Sequence, residues 1–384
     1  MEDETITRAE ALLAAADAEA KALVPPGAEL IDVHTHVGTD IDGFVSRTPE
    51  LLAFLARDGA THAFTFCLDE PDRVPAFRAA NDRTLAAAAE SDGVLVPFVR
   101  LDLADSPVEE AERVLDLGAR GIKLHPRSQG FSLADGRLEP IFAIAAERGV
   151  PILIHGGRGL PPIAEHLHAL AERHPAAQLI IAHAGIADLA GLAEAFGGRP
   201  GIFFDTSVWS ALDLIDLYHR VSPEQVMYAT DYPYGQQPGS LMLALRTARF
   251  CGFTDEQVRL MLGGSARRLM DGLPPAPLTP PRGPTTFSQG ITYARIHHYL
   301  AMAIPLLWTR QQDQIGVLGL ALNACGERNG DPETRLRIAE LISAGHAVWR
   351  LAAEAEEREE IFRFTRMAFR LLHLADIEAL TAGR

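Results

Sequence analysis

Eight short aliphatic runs recur along this chain, and their spacing constrains the fold more than any other feature. They are Leu30 to Val33, Ala63 to Leu68, Val94 to Val99, Gly121 to Leu124, Ile152 to Ile154, Leu179 to Ala182, Ile202 to Phe204 and Val226 to Ala229, roughly 24 to 33 residues apart. The segments between them have helical periodicity and start signals: Thr48-Pro49-Glu50 offers a cap followed by proline, and Ser106-Pro107-Val108-Glu109 offers a capping box. Glycine turns then precede several strands, as at Asp58-Gly59, Leu117-Gly118 and Arg148-Gly149. Strand and helix alternating eight times in about 240 residues reads as an α/β fold, a parallel (β/α)8 TIM barrel. A doubly wound open sheet would need a phosphate-binding glycine loop after the first strand. His34-Thr35-His36 stands there instead.

In such a barrel the chemistry belongs at the C-terminal ends of the strands. The polar residues at those ends are His34 and His36, Asp69 and Glu70, Arg100 and Asp102, Lys123 and His125, His155, His183, Asp205 and Asp231. Four of the eight strands end in histidine. Side chains alternate along a strand, so His34 and His36 share a face, as do Lys123 and His125. Two neighbouring imidazoles can grip one metal ion. Alone, His155 or His183 would read as a polar strand end; jointly, with His34, His36 and an aspartate on strand eight, they read as a metal site. Arg100 and Arg127 fit either a substrate carboxylate or a salt bridge. Asp69, Glu70, Asp102 and Asp205 read as loop caps, and Cys67 as core.

These motifs resemble the amidohydrolase-related metal-dependent hydrolases, in the branch that includes aminocarboxymuconate-semialdehyde decarboxylase and related benzoate decarboxylases. The resemblance lies in His34-Thr35-His36, Gly121-Ile122-Lys123-Leu124-His125-Pro126, His155, His183-Ala184-Gly185 and Ala229-Thr230-Asp231-Tyr232-Pro233, and runs from about residue 28 to 272. It closes with Gly264-Ser265-Ala266-Arg267-Arg268-Leu269, similar to a family helix that usually begins with Asn; that departure concerns packing.

The resemblance implies that His34, His36, His155 and Asp231 bind a divalent metal, zinc first, with manganese or iron as alternatives, and that His183 faces the substrate. An ion held in this way activates water. Asp231 would move the proton, and His183 would polarise a carbonyl or steady an oxyanion. Lys123 could be carboxylated in a two-metal site, but its segment looks more like mononuclear relatives. Lys123, His125, Arg100 and Arg127 would then orient the substrate or support the ligands. The expected reaction is hydrolysis of a small carbonyl substrate, an ester, lactone or amide. Decarboxylation of an aromatic or unsaturated acid is the alternative, and a catalytically idle barrel carrying a helical binding module is a reading from another class.

A net charge of -16 argues against nucleic acid and anionic membranes as partners, leaving a small-molecule substrate. Three widely spaced cysteines form no disulfide framework, the first residues resemble no signal peptide, and the longest apolar run, Tyr299 to Trp308, is too short for a bilayer. A cytoplasmic setting follows.

The expected organisation is an N-terminal helix packed on the barrel within 1–27, a barrel over 28–272, a proline-rich linker over 273–286, and a helical domain over 287–384. Helices are expected near 289–303, 306–325, 333–354 and 356–379, the third capped by Asp331-Pro332-Glu333. Trp308, Trp349, Phe362, Phe364, Phe369 and Leu371 could form a core or a subunit interface, so a homo-oligomer is left open. His297-His298, adjacent on a helix, make a poor chelate and read as packed or solvated. Substrate choice rests on the loops Val37 to Phe44, Pro126 to Leu133 and Tyr232 to Gly239.

Overall fold

The computed structural model describes residues 2–235, 239–313 and 316–382. Residues 236–238 of the last of those loops lie outside the described residues, as do 314 and 315 of the expected second helix.

The described residues include ten strands: β1 (Ile31–Thr39), β2 (Val45–Ser46), β3 (His62–Cys67), β4 (Leu95–Pro97), β5 (Val99–Arg100), β6 (Ile122–Leu124), β7 (Pro151–Ile154), β8 (Gln178–Ile181), β9 (Ile202–Asp205) and β10 (Val226–Met227). They form two ladders, β2-β1-β3-β4 and β10-β9-β8-β7-β6-β5, parallel throughout except where β2 folds back on β1. Each of the eight runs is a strand. The third is divided at Phe98, where the chain changes neighbours: Phe98 N–H donates to Thr65 O at 2.8 Å and Val99 N–H to Gly121 O at 2.9 Å. Gly121 allows this crossing, because a Cβ there would fall 2.3 Å from the Phe98 ring.

The strands are buried on both faces, as parallel strands covered by helices must be. Ile31, Val33, Phe64, Phe66, Leu153, Ile180, Phe203 and Met227 fill one core. The alternate residues Ile122, Leu124, Ile152, Ile154, Leu179 and Ile181 pack outward into a second core with the helices. Beyond β10 the chain pairs with the first strand: Val33 N–H donates to Tyr228 O at 3.0 Å, Asp231 N–H to His34 O at 2.9 Å, and His36 N–H to Tyr232 O at 2.9 Å.

Local signals are mostly realised. Gly59 and Gly149 end their helices in the left-handed conformation, and Asp331 accepts from Thr334 N–H at 2.7 Å. Two caps differ. Thr48 is already inside its helix, Thr48–Asp58, which follows Arg47 without a side-chain cap. Ser106 precedes its helix but at φ 44, outside the extended conformation from which a serine oxygen reaches the first free N–H groups, and makes no cap bond.

The N-terminal helix, Glu2–Ala22, is tied to later parts of the chain by Glu19, which pairs with Arg246 and Arg337. The proline-rich stretch lies against the body: Thr279 N–H and hydroxyl both bond to the Glu224 carboxylate, and the Arg282 and Gly283 N–H groups donate to Tyr218 O. Four helices follow, Ile291–Trp308, Val317–Cys325, Pro332–Glu354 and Arg358–Thr381. The expected second helix is therefore shorter at its start. The preceding helix continues through Pro305 to Trp308, and the next begins only where Asp313 caps Val317 and Leu318 N–H, with Gly316 left-handed at φ 73. Trp349, Phe364, Phe369 and Leu371 are buried, whereas Phe362 is 38% exposed. His297 bonds to Asp376 at 2.6 Å and His298 is exposed. Among the described residues, no helix is long and apolar enough to cross a membrane.

Candidate active site

All nine sequence-predicted site residues line one cavity of about 520 Å³ at the C-terminal ends of the strands: His34, His36, Arg100, Lys123, His125, Arg127, His155, His183 and Asp231. Strand ends bring eight of them there, and Arg127 comes from the short helix Pro126–Gln129 that follows β6. His34 and His36 leave β1 on the same side, and the backbone bond from Asp231 to His34 O joins the two elements that carry them.

Asp231 is the meeting point. Its Oδ1 lies 3.2 Å from His34 Nε2 and 3.1 Å from His36 Nε2. Its side chain is 20% exposed while those imidazoles are nearly sealed, so the carboxylate faces the cavity. Asp231 is left-handed at φ 60 and His183 at φ 57. A strained backbone of this kind, costing on the order of 1–3 kcal/mol, persists where the surroundings hold it and clusters at working sites.

His34 is oriented from behind. Its Nδ1 lies 2.8 Å from Asp205 Oδ2, which directs Nε2 at Asp231. Asp205 is fully buried; its other oxygen accepts from His183 N–H, Ser207 N–H and the Ser207 hydroxyl. The loop-cap reading of Asp205 thus captures only half its role. Asp32 was missed altogether, although a charged residue inside an apolar strand, in phase with His34, was a readable signal. It accepts from Thr230 Oγ1 at 2.6 Å and from the N–H groups of Thr230 and His34, and burial pushes its carboxyl up to about 7.

Burial lowers the basicity of His34 and His36 well below the usual histidine range, with Lys123 adding to the effect, and takes His155 down to about 2. Neutral imidazole is the form that binds metals. Burial likewise pushes Asp231 up and Lys123 down. The Lys123 ammonium reaches His34 Nε2 at 3.2 Å and lies 4.4 Å from the centre of the Phe66 ring.

Candidate ligand atoms gather in two groups among the described residues: His34, His36 and Asp231, and His34, His183 and Asp205, each within 4.8 Å of one another. The first group fits a cation better, since both Asp205 oxygens are already committed to other partners. His155 stands outside both groups. Its ring stacks on His125 at 3.9 Å and meets His183 edge-on at 4.7 Å, and among the described residues neither of its buried ring nitrogens has a partner at hydrogen-bond geometry. Two unpartnered nitrogens on a buried imidazole suit a ligand still to be engaged.

His183 Nδ1 lies 2.9 Å from the Ser207 carbonyl, which can only accept, so Nδ1 carries the proton and Nε2 of the neutral ring presents a lone pair. Arg100, 2% exposed, donates to Cys67 O and to Ser128 Oγ. Arg127 is exposed at the rim and packs over Gly159. Further residues line the cavity that the sequence did not single out, Tyr234 and Trp209 among them. Tyr234 donates its hydroxyl to Asp40 Oδ2 at 2.8 Å, and Trp209 faces the Arg158 guanidinium at 5.9 Å.

The amidohydrolase family model matches residues 31–271. The chain belongs to the amidohydrolase family. This amidohydrolase is an enzyme, and its family is metal-dependent. None of the curated proteins matches it. Its fold is shared by solved structures of low identity. The 2,6-dihydroxybenzoate decarboxylase complexed with 2,6-dihydroxybenzoate is 16% identical, over 64% of this chain and 98% of that chain, with a TM-score of 0.51. The 2,6-dihydroxybenzoate decarboxylase from Rhizobium is 16% identical over the same shares, at 0.50. A dihydroxybenzoic acid decarboxylase from Polaromonas sp. with bound manganese and 2-nitroresorcinol is 15% identical, over 64% and 97%, at 0.51.

Proposed function

We propose that this amidohydrolase hydrolyses a small carbonyl compound, an ester, lactone or amide, with one divalent ion held by His34, His36, His155 and Asp231. Zinc is the first candidate, with manganese and iron as alternatives. The observation that carries the reading is the position of Asp231, in contact with two neutral imidazoles yet facing the cavity. The bound ion would supply Lewis acidity and an activated water. Asp231 takes the proton of the attacking water and returns it to the leaving group. His183, with Nδ1 donating to Ser207 O, can steady an oxyanion only as the imidazolium. Asp205 and Asp32 hold His34 in place, and Lys123, His125, Arg100 and Arg127 orient the substrate. One ion, rather than two bridged by a carboxylated Lys123, is the reading, with the Lys123 amine beside His34 at 3.2 Å.

The scaffold in this reading is a closed (β/α)8 barrel over 28–272, with an N-terminal helix within 1–27, a linker over 273–286 and a helical domain over 287–384. Closure is supported by the hydrogen bonds from β1 to residues 228–232, and the boundary by the end of the family match at 271. The partner is a small molecule rather than nucleic acid or membrane, and a homo-oligomer is compatible with the fold. A cytoplasmic setting is supported by the wide spacing of Cys67, Cys251 and Cys325 along the chain.

Non-oxidative decarboxylation of an aromatic or unsaturated acid is the second reading. It is favoured by the decarboxylases of the same fold and by Arg100, Arg127 and Arg158 around the cavity, which suit a substrate carboxylate. Protein loaded with zinc or manganese would be offered esters, lactones, amides and aromatic acids in oxygen-18 water and, separately, in deuterium oxide. Label from water in a new carboxyl group supports hydrolysis. Carbon dioxide with deuterium on the product carbon supports decarboxylation. Metal-loaded protein that does neither overturns both.

A further inference from the structure

The family match stops at residue 271, yet the last helix, Arg358–Thr381, reaches the active site. Phe362, Arg366, Phe369 and His373 are spaced four, three and four residues apart, which places them on one stripe of that helix. Each member of the stripe touches a loop at the cavity mouth. The Phe362 ring lies 6.0 Å from Phe44, which packs at 4.6 Å on Tyr234. Arg366 Nη2 donates to Pro233 O at 2.7 Å and also to Gly235 O, on the two sides of Tyr234. Phe369 meets Trp209 edge-on at 5.4 Å, and His373 Nε2 lies 2.5 Å from Trp209 O. Trp308, from the helix Ile291–Trp308, completes the support by stacking on Trp209 at 5.5 Å and 20°.

Both residues gripped in this way line the cavity. Tyr234 stands edge-on to the His36 ring at 5.8 Å and bonds to Asp40; Trp209, after the neighbouring strand β9, lines the cavity with Arg158. A buried aromatic cluster and carbonyl-directed donors fix them at little further cost, because the helix is already packed for its own stability.

We propose that the terminal helix is a built-in part of the active site: its Phe362-Arg366-Phe369-His373 stripe, with Trp308, holds Trp209 and Tyr234 in place along the lining of the substrate pocket. The inference rests on the cavity being the active site but not on which reaction occurs there. Phe369 and Trp308 are positioning residues, acting through Trp209.

The test uses the full chain labelled with 5-fluorotryptophan, whose three tryptophans give three fluorine resonances, Trp209 being assigned with Trp209→Phe. Benzoate, a planar anion that fits the cavity, is the probe. Its dissociation constant is read from the Trp209 resonance in wild type, Phe369→Leu, Trp308→Phe and, as a control on the outer surface of the helix, Arg363→Gln. Metal content per chain and thermal midpoint are measured beside it. The expected result is a Trp209 line that moves or broadens in Phe369→Leu and Trp308→Phe before any ligand is added. Benzoate affinity should weaken about tenfold or more in both, with Arg363→Gln and every metal content unchanged. Should Phe369→Leu fail to fold, Trp308→Phe carries the test alone. A Trp209 line insensitive to benzoate in wild type, or affinity unchanged in the folded variants, overturns the inference. Loss of metal binding or turnover with the Trp209 pattern intact sinks the catalytic reading instead, so the two failures are distinguishable.

Discussion

Asp205 Oδ2 sits 2.8 Å from His34 Nδ1, both side chains sealed from solvent, and this contact decides which nitrogen of His34 meets Asp231. Carboxylates placed behind a metal-binding imidazole fix its tautomer and raise its basicity. Asp205→Asn keeps the size but places an amide where the acceptor was. Metal affinity should fall about 10- to 100-fold, read by competition with a chromophoric chelator. Affinity equal to wild type would leave Asp205 as nothing more than the cap of the 183–185 turn.

His155 and His125 stack on one another, but of the two it is His155 whose ring nitrogens both lack a hydrogen-bond partner among the described residues; His125 Nδ1 already accepts from Ser128 N–H. The two rings should therefore separate on mutation. His155→Ala is expected to lose most of its metal in elemental analysis, and His125→Ala to keep about one equivalent. Equal retention in both would remove His155 from the ligand set and leave His34, His36 and Asp231 to hold the ion.

His297 and Asp376 link the first and last of the C-terminal helices. The hydrogen bond His297 donates to Asp376 raises the His297 pKa above its ordinary 6.5, against the opposing effect of burial. A group whose folded pKa is raised stabilises fully below its unfolded pKa, and the contribution is lost as pH rises through the folded value. The stability difference between wild type and His297→Gln should thus be largest at about pH 5.5 and smaller at about pH 8.5, measured by urea midpoints. A difference that grows with pH would contradict the pairing.

At Gly263 a Cβ would lie 2.5 Å from Glu29 O and 3.2 Å from Ile31 Cγ1, both at the entrance to β1. The closing segment is so near the first strand that a side chain has no room at this position. Gly263→Ala should cost about 1–3 kcal/mol through forced backbone movement. Calorimetry would show the loss as a lower midpoint, and an unchanged midpoint would mean that the first strand yields without strain.

Much of the site was legible because its residues sit at strand ends. Once aliphatic runs alternate with helices, a parallel sheet carries every strand end to the same side, so His34, His36, His155, His183 and Asp231 needed no contact information to be grouped. The same locality explains the misses at Thr48 and Ser106, where cap chemistry was readable but the dihedral angles that switch it on were not.

The sequence by itself determined the strands, most helix limits, the histidines of the cavity and the family, since each follows from short-range periodicity or a contiguous motif. Only the tertiary structure decided that Asp205 turns His34 towards Asp231, that His183 spends one nitrogen on Ser207, and that a helix beyond residue 357 braces Trp209 and Tyr234. Those contacts join residues whose meeting depends on how complete elements pack, and no local pattern of charge or hydrophobicity encodes which partner a buried ring or carboxylate will find.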